Sequence, residues 1–338
     1  MNQSNKKRIV SGMRSTGKLH LGHYFGVLTN WVKLQNEYES FFFIADWHAL
    51  TTKYNDTANL KENVKDVALD WLATGIDPNK ATIYLQSLVP ETAELHIYLS
   101  MITPQNWVER DPTLKDMTKI LRTQGNNDGS ITYGLLGYPV LMTADIITFN
   151  VDYVPVGIDQ VAHIEISRDI IRRFNNIYNV EYFKEPKPLL TEIPLLKGID
   201  GNKMGKSFNN DIKISDDEET TQKKIVQCIT DRNRMRRDDK GNPENCEVAY
   251  TYWKIFGSED ELKEIETGCR SASLGCADCK RCLAKKVNEY MAPMREKRIE
   301  LAKNPETVRE ILIEGSKKAR IEARKVLDGA KEAIGMYF

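Results

Sequence analysis

The stretch RIVSGMRSTGKLHLGHYFG, Arg8 to Gly26, decides how the rest of the chain reads. Arg8-Ile9-Val10-Ser11 reads as a first strand, and glycines follow at 12, 17, 22 and 26. Leu21, Tyr24, Phe25, Leu28, Trp31 and Val32 then recur at helical spacing. Glycine lets a backbone pass close to a ligand, and the opening of the following helix offers free N–H groups to phosphate. His20 and His23, three apart at that opening, share one helical face and can both donate to phosphate oxygens, while Gly22 leaves room for a flat base. Two histidines beside a tight turn can also be ordinary capping residues; the strand, glycine and helix context favours the ligand.

Outward from this unit, Phe41 to Ala45 (FFFIA) reads as a second, fully buried strand. Asn59 to Thr74 repeats the helical spacing, and Gly75 with the Asp77-Pro78 turn closes it. Ala81 to Leu85 is a third strand, and the βαβαβ order predicts a parallel sheet with a ligand crevice at the carboxyl ends of its strands. Residues 104 to 130 interrupt the rhythm, with a polar segment at Gln124 to Ser130 that reads as an insertion. Tyr133 to Phe149 then reads as a helix, Tyr153 to Val156 as a strand and Asp159 to Phe174 as a helix. From about Asp216 only charged helical patterns remain. The expectation is an α/β fold, a Rossmann-like doubly wound parallel sheet over residues 1–205 with an insertion around 90–150, followed by a C-terminal α-helical domain over 206–338.

Composition bounds the class. At 338 residues, 41% hydrophobic and 28% charged, the chain reads as globular and two-domained. It shows no export signal and no apolar stretch of membrane-spanning length, so a cytoplasmic, soluble protein is expected. Lys plus Arg and Asp plus Glu number 48 each, so any contact with a polyanion must come from local patches.

A second basic motif is Gly201-Asn202-Lys203-Met204-Gly205-Lys206-Ser207. Two lysines on a glycine-bearing loop can close over a triphosphate and neutralise charge on leaving pyrophosphate, although in isolation a solvated basic turn has the same appearance. Together, the His-x-Gly-His helix start and the Lys-Met-x-Lys-Ser loop about 180 residues later resemble the paired ATP signatures of class I aminoacyl-tRNA synthetases. Gly205 departs from the serine more usual in that family.

The middle segments Gly137-Tyr138-Pro139-Val140-Leu141-Met142-Thr143-Ala144-Asp145 and Val154-Pro155-Val156-Gly157-Ile158-Asp159-Gln160 resemble the tryptophanyl-tRNA synthetase family specifically. That resemblance implies activation of L-tryptophan with Mg²⁺-ATP, transfer to tRNA(Trp) and a homodimer. By position it implies that Asp145 accepts the indole N–H, that Tyr138, Met142, Val154, Val156 and His48 line the ring pocket, and that Gln160 holds the amino group. It assigns ATP to Arg14, Gly22, Gly157, Asp159, Lys203, Met204, Lys206 and Ser207, with His20, His23, Lys203 and Lys206 as the catalytic set. Indole presents one donor and no acceptor, which suits an acceptor-only carboxylate. An ordinary polar residue on a half-buried helix is the alternative for Asp145. A tyrosine-specific synthetase, a small-molecule adenylyltransferase and a non-catalytic RNA-binding paralogue are the rival classes.

Five of six cysteines crowd one segment: 22 residues separate Cys246 from Cys269, six separate Cys269 from Cys276, and two separate Cys276 from Cys279. Such clustering reads as a ligand set. The spacing resembles the subset of bacterial tryptophanyl-tRNA synthetases with a four-iron, four-sulfur cluster; structural zinc is the alternative. Cys282 makes the fourth ligand ambiguous, and isolated Cys228 reads as a buried apolar residue. Arg232, Arg234, Arg236, Arg237 and Lys240 precede the first clustered cysteine, as an RNA-facing group or a salt-bridged surface.

Overall fold

The computed structural model describes residues 6–111, 114, 118, 131–190 and 196–336; the polar segment Gln124 to Ser130 and the side chains of Asp159 and Ser207 lie outside that description. Five strands form one sheet in the order β3-β2-β1-β4-β5: β1 (Arg8–Arg14), β2 (Glu39–Ala45), β3 (Ala81–Leu85), β4 (Tyr153–Val156) and β5 (Lys187–Leu190). Every pairing is parallel, with Ile9 opposite Ser40 on one side and Tyr153 on the other. The sheet therefore winds outward in both directions from β1, the doubly wound arrangement expected. The switch point lies between β1 and β4, where a crevice opens at the carboxyl ends of the strands.

The local reasons are visible along the chain. β2 is buried from Ser40 to Ala45, and Phe42 stacks on Trp31 with ring centroids 4.4 Å apart. The helical segment after β1 is less regular than its spacing implies. Leu21–His23 is a short α-helix, Tyr24–Leu28 a π-helical turn, and α1 (Thr29–Glu37) resumes the α register. Single π turns inside helices recur at functional sites, and this one directly follows His23.

Three more helices cover the sheet in this half. α2 (Asp46–Lys53) leaves the end of β2, α3 (Leu60–Ala73) stops at Gly75 with φ +108°, and α4 (Glu91–Ile102) follows β3. The helix expected over Tyr133 to Phe149 is divided at Gly137 into Tyr133–Leu136 and α5 (Tyr138–Ile147). Pro139 accounts for the break, since it sits in the first turn of α5, where its missing N–H is tolerated. α6 (Val161–Tyr178) starts after a 3₁₀ turn and ends at Asn179 in the left-handed region. β5 has no counterpart among the expected strands: its edge position and Pro188 deny it a hydrophobic signature.

Beyond the lysine loop the described chain is helical: α7 (Glu218–Gln227), α8 (Ala249–Phe256), α9 (Glu259–Ser271), α10 (Cys276–Lys303) and α11 (Pro305–Ile334). Leu21, Met204 and Ile212 share a buried cluster with Tyr252, Trp253, Val287 and Met291, so the histidine turn and lysine loop pack directly on the helical region. α11 returns to the sheet. Gly315 lies so close to β3 that a Cβ there would meet the Ile83 carbonyl oxygen at 1.8 Å. Arg320 and Arg324 of α11 both pair with buried Glu91 at the start of α4. Among the described residues, no helix is long and apolar enough to cross a membrane.

Candidate active site

The crevice at the switch point is a cavity of about 440 Å³, lined by the carboxyl ends of β1 and β4, by α5 and by the start of α6. It brings together Arg14, His23, His48, Tyr138, Met142, Asp145, Val154, Val156, Gly157 and Gln160, which are spread over nearly 150 positions of sequence. Gly12 lies on its floor, where the Phe43 ring would be 2.3 Å from any Cβ. Only glycine lets the strand and this ring approach so closely.

At one end, Asp145 is buried at 2% exposure on α5. His48 Nε2 lies 2.8 Å from its Oδ2, and Gln86 Nε2 donates to Oδ1 at 2.8 Å and to Oδ2 at 3.0 Å. The Tyr138 ring meets His48 edge-on, with centroids 4.6 Å apart. With Met142, Val154 and Val156 beside it, this end is an apolar slot with an acceptor pair at its wall. Gln160 also lines the cavity; its Oε1 is 2.8 Å from His163 Nδ1, and His163 Nε2 is 2.9 Å from Asp111. Both His163 and Asp111 are buried at 1%.

The histidine turn reaches the cavity through His23, and the lysine loop packs against that turn. Leu19 to Leu21 is held by Ile214 N–H donating to Leu19 O at 3.0 Å and by Leu21 N–H donating to Ile212 O at 2.9 Å. The His20 and His23 rings lie 3.8 Å apart between centroids. Gly22 leaves its space to the neighbours: a Cβ there would meet the His20 imidazole at 3.0 Å and the Met204 sulfur at 3.6 Å. Lys206 reaches across the turn and donates to Gly17 O at 2.6 Å.

Burial outweighs the nearby carboxylates of Asp70 and Asp211 in the electrostatics here. It pushes Lys206 down to about 8. His20 falls to about 4, first through burial and then through the Lys206 charge, and His23 falls well below its usual value through burial, His20 and Lys206. Burial also lowers Arg14. At neutral pH the two imidazoles are uncharged donors beside two cationic side chains, an arrangement suited to a polyanion.

Several residues sit differently from the sequence expectation. Met204 is buried in the helical cluster as the anchor of the loop, and Lys203 is exposed, joined to Lys197 by an isolated antiparallel bridge. Gly205 takes an extended conformation and donates its N–H to Asn210 Oδ1 at 2.9 Å. Gly157 lines the cavity, while Asp159 and Ser207 are placed only through their backbones, each in a 3₁₀ turn. Sequence reasoning missed Gln86, His163 and Asp111. Gln86 had a signal: it is the polar residue directly after a parallel strand, at the end where ligands bind.

The family model described as tRNA synthetases class I (W and Y) matches residues 2–292. A tryptophan–tRNA ligase of Thermotoga maritima is 46% identical over 98% of this chain and 100% of its own, and one of Aquifex aeolicus is 42% identical over 97% and 100%. The chain belongs to the tryptophan–tRNA ligase family of class I synthetases. A family member from Campylobacter jejuni, solved as a complex with ADP and tryptophan, superposes with a TM-score of 0.88 at 38% identity, covering 97% of this chain and 100% of its own.

Away from the crevice, Cys246, Cys269, Cys276 and Cys279 line one small cavity of about 30 Å³ between α8, α9 and α10, and Cys282 is exposed outside it. Among the described residues, no three His, Cys, Asp or Glu side chains converge to hold one metal ion. Trp253 Nε1 donates to Cys279 Sγ at 3.3 Å, and Arg234 approaches Cys269 Sγ at 3.8 Å. Burial raises Cys246 and Cys269 and pushes Cys279 up to about 12. Cys228 is buried in the helical cluster. Of the arginine group, Arg234 is buried and donates to Arg237 O at 2.8 Å, whereas Arg232, Arg236 and Arg237 are exposed.

Proposed function

We propose that the chain activates L-tryptophan with ATP and loads it onto tRNA(Trp), as the family's activity implies. The observation that carries the reading is a buried carboxylate, Asp145, set into the wall of an otherwise apolar slot in the same cavity as the histidine turn. The slot takes the indole ring, with Tyr138, Met142, His48, Val154 and Val156 around it and Asp145 accepting its N–H. Gln160 holds the amino group. ATP lies across Gly157 and Asp159 toward His20, Gly22 and His23, with Arg14, Lys203, Lys206 and Ser207 on the phosphates.

The tryptophan carboxylate attacks the α-phosphorus in line; a new O–P bond forms as the bond to the bridging oxygen breaks, and pyrophosphate leaves with its electron pair. Lys206 and the neutral histidines stabilise charge on the phosphates, so catalysis rests on positioning and electrostatics without an enzyme nucleophile. Mg²⁺ enters with ATP and neutralises part of that charge. The ribose hydroxyl of the tRNA 3′ end then displaces AMP from the adenylate.

The helical region after residue 205 meets the anticodon, with the exposed Arg232, Arg236 and Arg237 as its phosphate and base contacts. Cys246, Cys269, Cys276 and Cys279 hold a four-iron, four-sulfur cluster. What supports this reading is that the four line one small cavity and that N–H donors face two of the sulfurs. The exposed Ile97 and Met101, four apart on one face of α4, together with exposed Tyr133, fit a homodimer contact. Its place is the cytoplasm, where tRNA is charged. Charging of a tRNA(Trp) transcript tests the reading. Attachment of tryptophan supports it, and failure to charge under anaerobic, reducing conditions contradicts it.

A further inference from the structure

We propose that Gln86 is the positioning residue that fixes Asp145 as the reader of a ring N–H, and so sets the selectivity of the slot. The inference rests on tryptophan being the substrate and goes beyond the residues already placed around the ring.

Gln86 follows β3 directly and is fully buried at 0% exposure. A primary amide offers two donor hydrogens on nitrogen and an acceptor oxygen, and its orientation is decided by its neighbours. Here Gln86 Oε1 accepts from the backbone N–H groups of Trp47 at 3.2 Å and His48 at 3.4 Å, in the first turn of α2. The NH₂ end must then face Asp145, which it does at 2.8 and 3.0 Å. Reversing the amide would set oxygen against carboxylate and NH₂ against two N–H donors, so only one orientation is consistent.

The dipole of the α2 N-terminus polarises the amide in the same sense, strengthening its donation to the carboxylate. His48, on the same helix turn, approaches Oδ2 at 2.8 Å. Among the described residues, Oδ2 thus faces two nitrogen neighbours and Oδ1 one. A carboxylate has about four acceptor directions, so one remains, on Oδ1. A substrate donor fills it; a ring of the same shape without a donor leaves it empty in a buried site.

The test compares tryptophan with 3-benzothienylalanine, in which sulfur replaces the indole N–H, by amino-acid-dependent exchange of pyrophosphate into ATP. Wild type is expected to prefer tryptophan by on the order of 10³-fold or more in kcat/KM. Gln86→Met, which fills the space without donating, should lower kcat/KM for tryptophan by about 10- to 100-fold, chiefly through KM, with the KM for ATP unchanged. Its preference over the thienyl analogue should narrow by a similar factor, because a carboxylate freed from the amide is no longer held with its open Oδ1 direction toward the ring. Gln86→Ala, which removes the donor and adds no charge, should narrow the preference as well, and decides the matter if the Met variant does not fold. Equal losses for both amino acids would make Gln86 merely structural, and unchanged kinetics would make it irrelevant; either overturns the proposal. A wild type that does not activate tryptophan overturns the parent reading instead, and this one with it.

Discussion

The carboxylate of Asp70, completely buried on α3, accepts the backbone N–H of Leu19 at 3.0 Å and so holds the turn that presents His20. Its other oxygen accepts from Arg298 Nε at 2.6 Å, and Arg298 also pairs with Asp66. Arg298 lies on α10, the helix that begins at Cys276, 22 residues or about 33 Å away. The histidine turn is thereby fastened to the helix that carries three of the clustered cysteines, Cys276, Cys279 and Cys282.

Removing one side of this buried pair leaves uncompensated charge, which costs about 3–5 kcal/mol. Arg298→Met should lower the unfolding free energy by that order in urea titration and raise the KM for ATP more than the KM for tryptophan. A loss confined to tryptophan would contradict the role of Asp70 in holding the phosphate end.

Lys206 carries a pH signature. Its value falls from 10.5 in the unfolded chain to about 8 in the folded protein, so the folded state holds fewer protons between those limits and stability rises with pH across that window. Phosphate favours the protonated lysine. ATP affinity should be flat below about pH 8 and weaken above it, and Lys206→Arg, charged throughout, should remove the dependence. Isothermal titration of ATP from pH 6.5 to 9.5 checks this, and a wild-type affinity flat to pH 9.5 would contradict it.

Two glycines divide by their surroundings. Gly315→Ala places a methyl group 1.8 Å from the Ile83 carbonyl oxygen, so α11 must move from β3 at a cost of about 3 kcal/mol, read as a drop in melting temperature. Gly205→Ser meets only the exposed Phe208 ring at 3.0 Å, and Gly205 is in extended backbone, so thermal stability should change by less than about 0.5 kcal/mol.

For the cysteines, anaerobically purified protein should be brown and contain iron. Cys279→Ser should abolish the colour and Cys282→Ser should keep it. Colourless protein with stoichiometric zinc would contradict the cluster.

What the sequence made legible followed from strong local chemistry. The apolar runs at Phe41–Ala45 and Ala81–Leu85 had little alternative reading, and β1, β2, β3 and β4 lie where the strand patterns placed them. β5 escaped because an edge strand with Pro188 is neither apolar nor alternating. Asp46–Lys53 and Glu91–Ile102 escaped as helices: their sequences DWHALTTK and ETAELHIYLSMI have little one-sided periodicity, because α2 lines a polar site and α4 is apolar nearly all round. In the site, Asp145 and its neighbours were assigned through resemblance alone. Gln86, His163 and Asp111 contact other polar side chains of the cavity, and such contacts become visible only when the fold brings Gln86 to Asp145 across 59 positions of sequence.

The most direct test of the whole account is exchange of pyrophosphate into ATP driven by single amino acids. Tryptophan should drive it at least 10³-fold better than tyrosine or phenylalanine, because neither rival presents a ring N–H to Asp145. Asp145→Ala should remove most of the tryptophan-driven rate by raising its KM while leaving the KM for ATP nearly unchanged. Exchange driven by tyrosine, or equal loss of tryptophan and ATP binding in Asp145→Ala, would contradict the account.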